Sequence, residues 1–161
     1  MLFRSSLTGT ASLGSGSYAG TISNNGAVVY SSSSNQTLSG VLSGTGTLTK
    51  NTSSTSTLTL SANNTYSGAT TVTTGVLAIS HANALGTTAG TTTVASNATL
   101  EVSGGISSAE PLTVSGDGVT VSAAEVGAIR STSGTNTLTG LVTLAAAAEV
   151  QADAGTLTFD V

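Results

Sequence analysis

The chain of 161 residues has a formal net charge of −4, with charged residues at 6% and aromatic residues at 3%, far below the usual globular mixture in which about a quarter of residues are charged. Its cations are Arg4, Lys50 and Arg130, so no basic patch can be drawn for nucleic acid. It has no cysteine, which excludes disulfides, thiolate catalysis and cysteine-ligated metals. Hydrophobic residues at 38% suffice for one slender core, and frequent β-branched residues with a modest net charge predict order.

Residues 1–17 include Arg4 as a possible leader n-region, but LTGTASLGSGS is too polar for the apolar part of a signal peptide, so none is expected here. Residues 13–43 are Ser/Gly-rich, and the tract Ser31 to Ser34 reads as a loose loop. Thr21-Ile22 and the run Ala27-Val28-Val29-Tyr30 keep a strand pattern through it. Ile22 and Val28 flank a bend at Asn24-Asn25-Gly26.

Residues 58–102 alternate short period-two strands with Gly, Asn and Ser turns, with no helical interval. Successive strand side chains point to opposite faces. Val72, Leu77, Ile79, Val94, Leu100 and Val102 therefore point inward, and Thr71, Thr73, Ala78, Thr93, Thr99 and Glu101 face water. Gly75 and the pair Ser96-Asn97 supply bends, giving a unit of strand, bend, strand. Leu112 with Val114 and Val119 with Val121 flank Gly116-Asp117-Gly118, and Val150 and Leu157 flank the last bend at Asp153 to Gly155. The alanine run in 141–150 reads as a small-residue coil turn, and no run of about twenty apolar residues is present to span a bilayer.

The steps from Val72 to Val94 to Val114 to Leu138 are about twenty to twenty-four residues, the period of a solenoid. A unit so short cannot bury its own apolar face, whereas stacked units form a continuous core. The fold class expected is all-β, a right-handed parallel β-helix, with residues 1–161 as one solenoid segment and 13–43 as its looser part.

The run Gly46-Thr47-Leu48-Thr49-Lys50, then Leu58-Thr59-Leu60-Ser61, Asn64-Thr65-Tyr66-Ser67-Gly68, Thr70-Thr71-Val72, Gly75, Leu77 and Ala84-Leu85-Gly86 resembles the passenger-associated repeat of bacterial autotransporters. A looser likeness, from Ala128-Ile129-Arg130-Ser131 through Asn136-Thr137-Leu138-Thr139-Gly140 to 153–158, is similar to passages of very large autotransporter-like surface proteins. The resemblance implies a right-handed parallel β-helix outside the cell, on the passenger side of the bacterial outer membrane, used as stalk, adhesin or scaffold. It marks Asn64, Tyr66, Gly68, Val72, Gly75, Leu77, Leu85 and Gly86 as the structural repeat motif. Ala69 stands where the family often has a second Gly, and the family's C-terminal barrel is not represented. The expectation is a fragment of a longer repeat protein, or a different protein built from the same repeat.

Candidate chemistry is sparse. Glycan-processing β-helices bring carboxylates together on one face. Glu101 with Asp117, or Glu125 with Glu149, have spacings that allow stacking between coils, whereas carboxylates on a solenoid surface ordinarily serve solvation. His81 has no second His and no motif-linked carboxylate, and reads as a surface turn residue. Asp117 between two glycines is a single tight turn, since calcium-binding nonapeptides need tandem copies. Gly104-Gly105 is a corner. The triplets Thr57-Leu58-Thr59, Thr71-Val72-Thr73, Thr91-Thr92-Thr93 and Thr137-Leu138-Thr139 suggest an ice-binding array, but their intervals are unequal. Four N-x-Ser/Thr triplets, at Asn35, Asn51, Asn63 and Asn97, arise readily by chance in so Ser/Thr-rich a chain.

No enzyme activity, cofactor or metal is expected. The expected partners are other repeats or copies of the chain at the solenoid ends, and surface glycans or proteins; nucleic acid and membrane insertion are not expected. The leading reading is a structural extracellular stalk or adhesive scaffold, and the alternative is a self-assembling filament or matrix subunit.

Overall fold

A computed structural model describes residues 4–52, 55–122 and 124–161. Residues 1–3 of the stretch weighed as a leader lie outside the described residues. Parallel strands stack into a β-solenoid of about seven turns. The chain needs no helix for this, because its β-branched and threonine-rich runs are each cut by Gly, Asn or Ser within a few residues.

Each coil has three sides, one more than the strand, bend, strand unit read from the sequence. The first wall stacks Arg4–Gly9, Ala27–Ser32, Thr47–Asn51, the first half of Thr70–Ile79, Thr92–Val94, Leu112–Gly116 and Val142–Ala148. The second stacks Ser17–Tyr18, Gln36–Leu38, Thr57–Leu60, the second half of Thr70–Ile79, Ala98–Val102, Ile129–Ser131 and Val150–Ala152. Thr70–Ile79 serves both walls because Gly75, at φ +85°, turns the corner inside it. The third side is strand only near the two ends, at Ile22–Ser23 with Leu42–Ser43 and at Ser107–Ser108, Thr135–Leu138 and Thr156–Phe159. Between them, residues 61–69 and 80–91 are loops.

Inward columns build the core. Tyr30, Lys50, Val72, Val94, Val114 and Leu144 stand in register on the first wall. Leu58, Leu77, Leu100, Ile129 and Val150 do so on the second. All six residues assigned inward by alternation are buried. Of those assigned to water, Thr71, Thr73, Thr93 and Glu101 are at least partly exposed, whereas Ala78 and Thr99 are buried and correct that assignment.

Thr99 is covered by an excursion that the repeat does not predict. Residues 117–122 and 124–127 leave the coil as a short antiparallel hairpin, Thr120–Val121 against Ala124–Glu125, and lie over the outer side of the second wall. Val119 is buried there against Val76 and Val126, not in the main core, and Val121 is 48% exposed. The pair Val119 and Val121 is therefore no solenoid strand. Side-chain bonds between coils span 18 to 24 residues before the excursion and 28 to 31 across it. As a result Val114 stacks on Leu144, while Leu138 stands on Ser108 and under Phe159 of the third side, correcting the expected last step.

Two further readings change. The alanine run is the first-wall strand Val142–Ala148, exposed because no described coil covers it. The serine tract is not a loose loop: Ser32 is fully buried, Ser33 Oγ donates to Gly9 O at 3.0 Å and Ser34 Oγ to Thr10 O at 3.0 Å.

Candidate functional site

The repeat motif is a stacking device on the third side, where the chain is not a strand and must satisfy its backbone otherwise. Asn64, 2% exposed, accepts from Leu42 N at 2.8 Å and donates through Nδ2 to Ala84 O at 2.6 Å. One amide thus ties the coils before and after its own. Its own N–H reaches Asn83 O at 3.1 Å, and Asn83 Nδ2 donates to Asn63 Oδ1 at 2.9 Å.

Tyr66 is fully buried, and its hydroxyl shares a 2.6 Å hydrogen bond with Thr70 Oγ1. Burial pushes its phenol well above the ordinary range, opposed by the Thr70 bond, with the Glu110 charge adding to the rise. Gly86 has φ +89°, and a Cβ there would overlap Tyr66 O, so its lack of a side chain is used twice. Gly68 packs so close that a Cβ would overlap Gly46 O. Leu85, Leu77 and Val72 fill the core beside them, and Gly75 makes the corner already described. Of the eight motif residues, Asn64 bonds to the neighbouring coils, Tyr66 to Thr70 of its own, Gly68 and Gly86 lie against the backbone of the coil beneath, Gly75 turns a corner, and Val72, Leu77 and Leu85 fill the core.

Asn136 does similar work elsewhere, its Oδ1 accepting from Gly105 N and Ile106 N, both at 3.0 Å, and its Nδ2 donating to Ser133 O at 2.8 Å. Asn24 donates to Thr47 O at 2.9 Å. Asn24 belongs to the bend before Gly26 and Asn136 to the looser likeness, but neither string marks a hydrogen bond between coils. Lys50 was likewise missed as a core residue. It is fully buried, its Nζ donates to Thr52 O and to Thr74 O (3.1 Å), and it lies 5.8 Å from the Tyr30 ring centre. Burial lowers its pKa to about 8.

Of the carboxylates whose spacing allowed stacking between coils, Glu101 is engaged by a cation. Arg130 bridges Glu101 (3.5 Å) and Asp153 on the outer second wall, and Gln151 Nε2 donates to Asp153 Oδ1 at 2.7 Å. Asp117 is exposed at the base of the hairpin, where its carbonyl accepts from Gly127 N at 2.9 Å. Glu125 and Glu149 are exposed. His81 is half-buried in a turn and accepts from Asn83 N at 3.1 Å. The threonine triplets fall on different walls, Thr57-Thr59 on the second and Thr137-Thr139 on the third. Thr49, Thr71, Thr93, Thr113 and Thr143 instead form one outward file on the first wall. Among the described residues no three His, Asp or Glu side chains stand close enough to hold a metal ion, and no helix is long and apolar enough to cross a membrane.

Residues 53–79 match the family model of the passenger-associated-transport-repeat. The match holds the first part of the stacking motif, from Asn64 to Leu77, and it is embedded in a continuous β-solenoid. The two together fit an autotransporter passenger domain, a kind of segment carried outside the cell. No curated protein and no solved structure matches the chain.

Proposed function

We propose that this chain is a structural segment of a bacterial autotransporter-like surface protein, a stalk or adhesive scaffold held on the passenger side of the outer membrane. The observation that carries the reading is the passenger-associated repeat built into the stack, with Asn64 joining three coils. The described surface supports it, since it is dominated by short polar side chains and its one ion-pair cluster bridges coils. The role requires no reaction; the partners are adjoining repeats and surface glycans or proteins. An antibody raised against the chain tests the placement: intact producing cells should stain, and staining only after permeabilisation would overturn it.

A second reading, a self-assembling filament or matrix subunit, is favoured by one observation. The inward columns end at Leu144, Val150 and Phe159, which are 60%, 43% and 43% exposed on the last described coil. An open apolar end of that kind accepts either further repeats of the same polypeptide or another copy.

A further inference from the structure

One corner of the stack breaks its own rule. Just before the first wall the coils carry Gly26, Gly46, Gly68, Gly90 and Gly140. A Cβ at Gly46, Gly68 or Gly140 would overlap a backbone carbonyl of the coil beneath, namely that of Gly26, Gly46 or Glu110, and one at Gly90 would crowd that of Gly68. Register places Glu110 in this file, between Gly90 below and Gly140 above.

Its side chain turns into the core. Glu110 is 4% exposed, and Oε1 accepts from Thr92 Oγ1 at 2.9 Å. Oε2 is buried with no partner, and so is Ser108 Oγ, two residues earlier and 1% exposed. An ionised carboxylate with a single hydrogen bond and no counter-charge is a costly occupant of an apolar core. A proton on Oε2 removes the charge and with it most of the cost of burying the group.

Among the described residues no counter-charge is placed to hold the ionised form. From the coil of 58–79 the titratable neighbour is Tyr66, a neutral phenol whose hydroxyl is bonded to Thr70. Thr92–Val94 beneath carries no titratable side chain, and Glu101 of Ala98–Val102 is paired with Arg130 on the outer face. In the coil above, Arg130 is committed to Glu101 and Asp153, and Glu149 is exposed. Lys50 of the first wall is bound to backbone carbonyls.

We infer that Glu110 is a proton-operated latch: neutral, it locks the coil of residues 98–116 between its neighbours, and ionised, it loosens that seam. The seam is defined by the adjoining first-wall bonds, Thr92 N to Pro111 O at 3.0 Å and Leu112 N to Leu141 O at 2.8 Å. Burial raises the carboxyl to about 7, against the opposing pull of the Thr92 bond. The folded pKa lies above the unfolded one, so the stabilisation is complete below about 4.5, declines as pH rises, and is gone above about 7.

Hydrogen exchange of the Thr92 and Leu112 amides, corrected for intrinsic rates, tests the latch alongside carbon-13 NMR titration of the Glu110 carboxyl in the same 161-residue chain. Protection is expected to fall about tenfold or more as pH rises from about 4.5 to about 7, and to be flat in Glu110→Gln. A carboxyl midpoint near the ordinary glutamate value overturns the inference, as does a pH dependence that survives unchanged in Glu110→Gln. If Glu110→Gln does not fold, the carboxyl titration of the unaltered chain decides alone.

Discussion

At the scale of single residues, stability rests on buried polar groups placed where the coil has no strand. Asn64 is the clearest, since truncating it to Ala leaves Leu42 N and Ala84 O buried without their partners. Each orphaned group costs about 1–3 kcal/mol, so Asn64→Ala should lose about 2–6 kcal/mol, read as a lower urea midpoint at unchanged slope. Asn64→Asp should not rescue it, because a carboxylate replaces the donor with a buried charge. Lys50 makes the opposite demand on pH from Glu110. Its folded pKa of about 8 lies below the unfolded 10.5, so the folded state gives up its proton first. The stability of the unaltered chain should therefore rise relative to Lys50→Met as pH goes from about 8 to 10.5. The gain should be no more than about 3 kcal/mol. A difference between the two chains that stays constant over that window would contradict the burial of the ammonium.

At the scale of elements, the hairpin of 117–127 hangs on one hydroxyl. Thr99 Oγ1 donates to Gly127 O at 2.8 Å and accepts from Val119 N at 3.0 Å, pinning both legs, while Val76, Val119 and Val126 form the small apolar patch beneath. Thr99→Val keeps that patch but removes both bonds. Protease cleavage within 120–125 should then rise severalfold, while the denaturation midpoint of the solenoid shifts by about 1–2 kcal/mol. Unchanged cleavage would mean that the apolar patch alone holds the hairpin. The same element shows where the sequence could be read and where it could not. Alternation placed Val72, Leu77, Ile79, Val94, Leu100 and Val102 correctly, because a parallel stack in register repeats one local pattern and needs no long-range knowledge. Val119 and Val121 carry that same alternation, but a two-residue antiparallel pair turns it outward, and only the partner strand tells the two cases apart. The motif around Asn64 and Tyr66 was legible as a string of residues, whereas its three-coil hydrogen bonding was not. Glu110 and Lys50 were invisible as core members, since charge in a sequence ordinarily signals solvent.

At the scale of the molecule, each coil touches only its neighbours, so cohesion is a sum of like interfaces and does not fall off with length. A fully buried Leu in these columns contributes about 1.5–3 kcal/mol, and Leu48, Leu58, Leu60, Leu77 and Leu100 repeat that contribution along the stack. The same additivity leaves a debt at the last described coil. There Leu144, Val150 and Phe159 continue buried columns yet stand open, with Leu141 and Val161 exposed beside them at 62% and 77%. The strands carrying them also offer unpaired backbone groups that another strand can extend. The isolated 161-residue chain should accordingly associate as its concentration rises, with a sedimentation coefficient that climbs through dimer toward larger species. Leu144→Lys together with Phe159→Lys should hold it as a monomer, because each places a charge where an apolar partner has to dock, while the buried residues of the columns below are left unaltered. If the unaltered chain stays monomeric at every concentration, the filament reading fails and the open end belongs to adjoining repeats. If the double variant associates as strongly as the unaltered chain, the contact lies elsewhere, and the outward threonine file of the first wall becomes the surface to substitute next.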